Sequence, residues 1–180
     1  ITADYIFPIT SDPIKKGVIV LDNNGKILSI DSRENHDIST LEIHSGVIVP
    51  GFINTHCHLE RSHMKGVAKT GTGLLPFLQT VVNHRDVPPE EIFAAIEAGD
   101  RYMYEQGIVA VGDISNKTDT ATTKQKSKIR YYTFVEMFDF LQNDWAQKTF
   151  DDYYAVFEGQ SSGNGNRKSC VPHAPYTVSE

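Results

Sequence analysis

The chain is poor in the features that would mark several common protein classes. No apolar run approaches the ~18 residues that a membrane helix needs, so no membrane-spanning helix is expected in these residues. Only two cysteines occur, Cys57 and Cys170, too few for a disulfide framework; free thiols in a reducing cytoplasm are the default. No basic block or stripe accompanies the net charge of -6, which argues against nucleic acid as a partner. The densest positive segment, Lys117 to Arg130, scatters its charges among Thr, Ser and Gln and reads as a weak, exposed helix over Thr118–Lys128. No charged-then-apolar leader with a cleavage site appears in these residues, and the opening on Ile1 rather than Met leaves a leader cut from view as an open reading. Gly163-Asn164-Gly165 does not have the spacing of a phosphate loop.

What is present is a composition of 39% hydrophobic and 22% charged residues over 180 positions, enough for one globular domain or slightly more. The first 47 residues read as short strands, at Ala3–Pro8, Gly17–Asp22 and Lys26–Asp31, the last two joined by an Asn23-Asn24-Gly25 hairpin turn. Further on, helices alternate with apolar strands. Leu74–His84 reads as a short helix or a lid segment, with Pro76 near its start. Asp86 is expected to cap a second, with Pro88 and Pro89 in its first turn, an apolar stripe Ile92, Ala95, Ile96, Gly99 and Met103, and Gly107 at its close. Ile108–Asp113, Ile129–Phe140 and Ser169–His173 read as strands. Asp144 is expected to cap another helix whose Phe150, Tyr154 and Phe157 form a stripe assigned to the core. This alternation is what a parallel barrel or doubly wound sheet requires.

The stretch Val47 to Gly66, VIVPGFINTHCHLERSHMKG, carries the chemistry. On a strand from Gly51 to His58, His56 and His58 point to one face and Cys57 to the other. The residues alone leave two readings: two polar side chains on an exposed face, or a pair of neutral imidazoles on one divalent cation. Leu59 to Gly73 is polar and Gly-rich and reads as a loop. Within it Glu60 and His63 are solvated side chains or substrate contacts, Glu60 ahead because it would share the face of His58. Asp113 reads as a cap for the Ser115 or Asn116 amides. Glu136, alone in an apolar strand, requires a partner, either a structural ion pair or a site group.

Two strings, PGFINTHCHLE and VPHAPYTVS (Val171–Ser179), resemble the amidohydrolase superfamily, in its cytosine-deaminase-like and chlorohydrolase-like aminohydrolase branch. The resemblance implies an α/β fold, a (β/α)8 TIM barrel. About its first four β/α units would occupy residues 48–180, after part of a composite β-sandwich at 1–47. It implies that His56 and His58 bind one divalent metal ion, zinc ahead of iron. His173 and Glu60 would contact substrate, while the catalytic Glu and Asp would lie beyond residue 180. The implied activity is hydrolytic deamination of a nucleobase- or nucleoside-like compound by water activated on the metal. Dechlorination or cyclic-amide hydrolysis on the same scaffold is the alternative. A catalytically incompetent N-terminal fragment or half-barrel is the alternative of another class. The expected partner is a small molecule, without nucleic acid or membrane, in a cytoplasmic protein whose default assembly is a homodimer.

Overall fold

The Asn-Gly turn folds as the pattern requires. Gly25 takes φ +78°, a conformation cheap only for glycine, while Asp22 Oδ1 accepts the amides of Asn24 (2.8 Å) and Lys26 (2.9 Å). In the computed structural model, which describes residues 1–179, this turn joins β3 (Gly17–Leu21) to β4 (Ile27–Ser32) in an antiparallel pair. Before it come β1 (Tyr5–Ile6) and β2 (Ile14–Lys15). β1 pairs antiparallel with β2 and parallel with β5 (Val47–Ile48). Ala3, Ile6, Val18 and Ile19 are the buried apolar residues of this unit, which spans Ile1–Gly51.

The second unit begins at Phe52. Its strands β6 (Phe52–Cys57), β7 (Ile108–Ile114), β8 (Arg130–Met137) and β9 (Arg167–Pro172) form one parallel sheet in chain order. Helices α1 (Leu74–His84) and α2 (Pro89–Glu105) follow β6. Then α3 (Ala121–Lys126) follows β7 and α4 (Ala146–Gly159) follows β8. Sequential parallel strands linked through helices are successive units of a (β/α)8 barrel, and the chain carries four of its strands.

The alternation along the strands decides the two faces. Val111, Asp113, Tyr131, Thr133 and Val135 are buried, and Val111 and Tyr131 pack with Leu59, Ile92, Ile96 and Ile129 in the core. Burying each such aliphatic side chain contributes about 1.5–3 kcal/mol. The other face carries Ile53, Thr55, Ala110, Gly112, Tyr132 and Phe134, which line an open apolar trough of about 380 Å³. Two glycines set close approaches. A Cβ on Gly99 of α2 would lie 2.7 Å from Ser62 Oγ, and one on Gly112 of β7 would lie 2.8 Å from the Thr55 carbonyl oxygen.

Several expectations need correction. Asp86 does not cap α2: Pro88 is the N-cap residue, and Pro89 starts the helix without needing an N–H donor. Asp144 lies inside a 3-10 turn, Asn143–Trp145, and α4 has no side-chain cap. Leu59–Met64 is a 3-10 helix rather than loop, closed by Arg61 N to His58 O (2.8 Å) and Ser62 Oγ to Leu59 O (2.7 Å). The Thr118–Lys128 helix is not simply exposed, because Lys124 is fully buried. The aromatic stripe of α4 stacks as expected of i, i+3/i+4 neighbours, but Phe150 and Tyr154 are exposed, so it is a surface feature.

Candidate metal and substrate site

Strand β6 ends in a bulge. Asn54 pairs with Val111 and Cys57 with Asp113, so β6 spends one more residue than β7 over the same step, and His56 N donates to Asn54 Oδ1 at 3.2 Å. Bulges recur where a strand must re-aim a side chain. Asn54 reaches Met103 of α2 and Cys57 packs on the helix-side core. His56 lies between them with its ring edge-on to His58, centroids 5.2 Å apart. The strand stops at Cys57, one residue short of the expected end, and His58 is the N-cap residue of the 3-10 turn.

Burial first, and the neighbouring His56 second, hold the His58 imidazole below the ordinary histidine range. A neutral ring keeps a lone pair for a cation, so the donor chemistry of the pair suits a divalent metal. Among the described residues no group of three or more His, Cys, Asp or Glu side chains converges on one metal position, so the pair supplies two donors.

Beneath this strand end lies a buried polar cluster that sequence reading missed. Lys124 Nζ sits 2.6 Å from Asp113 Oδ2 and donates to Thr133 Oγ1 (2.9 Å) and Ser115 Oγ (3.1 Å). Asp113 Oδ1 accepts the amide of Leu59 at 2.7 Å, directly after His58, and Asp113 Oδ2 accepts the Ser115 hydroxyl at 2.9 Å. Asp113 therefore does not cap the Ser115 or Asn116 amides; it ties β7 to the residue that follows the histidine pair. Burial pulls the Lys124 ammonium below its usual range, against the opposing pull of Asp113. Burial, and then Asp113, push the Cys57 thiol up to about 12.

The rim of strand ends is stitched together by hydrogen bonds. Glu60 is almost fully buried, and its Oε2 accepts the amides of Asn116 (2.9 Å) and Lys117 (3.1 Å), with Arg61 Nε 3.6 Å from Oε1. Asn116 Nδ2 in turn donates to the Glu136 carbonyl at 2.5 Å, and Glu136 Oε2 lies 3.0 Å from His173 Nδ1. Burial raises the Glu60 carboxyl above its ordinary range, with Arg61 and the two amides opposing.

Beside this rim lies a cavity of about 560 Å³ lined by His58, Glu60, Glu136 and His173 among polar residues, and by Phe77 and Phe138 among apolar ones. The structure thus brings His58, Glu60 and His173 to one cavity, with His56 against His58. Phe140, which lines the cavity, and Leu141 after it adopt φ +55° and +62°, a left-handed pair that costs about 1–2 kcal/mol per residue. Asp139 Oδ1 holds that turn by accepting the amides of Leu141 (3.0 Å) and Ser179 (2.9 Å). Glu136 is the site residue for which sequence reading left a structural role open; its isolation within an apolar strand was the available signal.

Comparison with known proteins places the chain in a family. The model of the amidohydrolase family matches residues 47–179, and the chain belongs to that family. A 5-methylthioadenosine/S-adenosylhomocysteine deaminase of Thermococcus kodakarensis is 27% identical over 177 residues, covering 93% of this chain and 40% of that protein. The chain therefore spans about two fifths of the length of the curated relatives it matches. Among solved structures, Helicobacter pylori aminofutalosine deaminase in complex with methylthio-coformycin superposes with a TM-score of 0.77 at 22% identity, over 99% of this chain and 45% of that one. Atrazine chlorohydrolase TrzN from Arthrobacter aurescens TC1, complexed with zinc, gives 0.70 at 15% identity, over 98% and 46%. Members of the family are typically dependent on a divalent metal. Among the described residues no helix is long and apolar enough to cross a membrane.

Proposed function

We propose that the protein carrying this chain is a metal-dependent hydrolase that deaminates an adenine-bearing nucleoside or a related nucleobase compound. The observation that carries the reading is the placement of His58, Glu60 and His173 around one cavity at the C-terminal ends of parallel strands, with His56 beside His58. The names of the relatives, deaminases of 5′-deoxyadenosine and of methylthioadenosine, support the substrate class. His56 and His58 would hold the ion, with zinc preferred over iron. When bound, the metal would supply Lewis acidity that makes water nucleophilic near neutral pH.

The chain's own residues bind and orient. His173 presents a ring nitrogen to the substrate heterocycle. Glu60, anchored by two backbone amides, fixes the rim and offers its carboxylate edge to a substrate donor. The apolar wall, Phe77 and Phe138 among it, excludes water from the ring. Overall, an amino-bearing ring carbon and water become a ring carbonyl and ammonia: a C–O bond forms and the C–N bond breaks.

The test is ammonia release by the full-length protein from 5′-deoxyadenosine, 5-methylthioadenosine and guanine, beside chloride release from a chlorotriazine. Turnover of an adenine nucleoside that disappears in His56→Ala is the expected result. Chloride release without ammonia from any amine would overturn the reading in favour of dechlorination. No product from any compound would overturn it in favour of a catalytically incompetent chain.

A further inference from the structure

We infer that Glu136 is a positioning residue that fixes the tautomer of His173, so that Nε2 is the ring atom offered to the substrate; this rests on the proposed role of His173 as a substrate contact. Glu136 shares the strand face of Tyr132 and Phe134 and stands at its C-terminal end, opposite Val171 in the β8–β9 register. Its side chain is only 14% exposed, whereas that of His173 is 44% exposed and lines the cavity.

One backbone contact places residue 173, and two contacts hold its imidazole. The His173 amide donates to the Met137 carbonyl at 3.0 Å, the Glu136 carboxylate meets Nδ1 at 3.0 Å, and the Phe138 ring packs edge-on with centroids 5.6 Å apart. The Glu136 backbone is tied to the rim as well, its carbonyl accepting the Asn116 side-chain amide. An ionised carboxylate only accepts hydrogen bonds, so Nδ1 must carry the proton. In the neutral ring Nε2 is then an acceptor, and it selects a substrate that presents an N–H or O–H there, such as an exocyclic amine or a sugar hydroxyl. This extends the site beyond what the histidine pair defines, since it states which hydrogen-bonding character the ligand needs.

The experiment is a double-mutant cycle with a spectroscopic arm, both on the full-length protein. Glu136→Gln lowers kcat/KM roughly ten- to a hundredfold, the range expected for losing a charge-assisted hydrogen bond. The same change in a His173→Asn background lowers it by less than about twofold, because Glu136 acts only through the ring. Nitrogen-15 NMR of His173, at a pH above the histidine range, shows protonated Nδ1 in the wild type and a tautomer mixture in Glu136→Gln. Equal losses in both backgrounds would overturn the inference, as would an Nε2–H ring in the wild type or an unchanged ring in Glu136→Gln. The NMR arm needs no turnover, so failure of the deaminase reading leaves this one independently decided.

Discussion

Replacing Lys124 by Met removes the cation from a buried pair and leaves its partner behind. Both side chains of the pair are fully buried, and after the change Asp113 keeps only the Leu59 amide and the Ser115 hydroxyl. Breaking a buried ion pair on one side costs about 3–5 kcal/mol, because a desolvated charge goes unpaired. At about 2–4 °C per kcal/mol for a chain of this size, Tm falls by roughly 6–20 °C. The double variant Asp113→Asn, Lys124→Met removes both charges while an amide oxygen still accepts the Leu59 N–H, so it recovers at least half of the loss. Thermal unfolding followed by circular dichroism, with urea titration as a check, reads both. A Lys124→Met Tm within about 2 °C of wild type would show that Asp113 is not left as a desolvated, unpaired charge. A double variant as unstable as the single one would show the same.

Other expectations follow from the same geometry. The buried Glu60 carboxyl sits above its ordinary range, so between the ordinary value of ~4.3 and the raised one the folded protein binds more protons than the unfolded chain, and stability falls as pH rises. Glu60→Gln does not titrate, so its Tm relative to wild type climbs as pH rises above the ordinary carboxylate value; a flat difference would count against burial of the carboxyl. Gly112→Ala drives a Cβ against the Thr55 carbonyl oxygen, a backbone atom that cannot swing aside, and costs about 1–3 kcal/mol in urea unfolding; an unchanged midpoint would show that the two strands can part. Cys57, its thiol pushed up to about 12, stays protonated at neutral pH and reacts with a thiol reagent only on unfolding; rapid labelling of native Cys57 would contradict its placement against Asp113.

The sequence made some of this legible and hid the rest for definable reasons. The hairpin at Gly25, the bounds of α1 and the apolar stripe of α2 were readable because they are local: a turn residue, an element-length run, a periodicity. The closeness of the two histidines was readable because they are separated by one residue, although the strand ends at Cys57 and His58 belongs to the turn that follows. Lys124 was not. It sits in a Thr-, Lys- and Gln-rich helix that looks solvated, and only Asp113 on another strand explains its burial. Glu60 looked like a loop residue, yet its carboxylate caps amides more than fifty positions away. The α4 stripe shows the converse: periodicity gives a helix and a shared face, but not whether anything covers that face.

The proposed function depends on His56 and His58 holding a divalent metal. Elemental analysis of the full-length protein against its His56→Ala, His58→Ala variant tests it most directly, with circular dichroism confirming that both are folded. About one ion per chain is expected in the wild type and close to none in the variant. Equal metal content in the two folded proteins would contradict it and remove the histidine pair from the site.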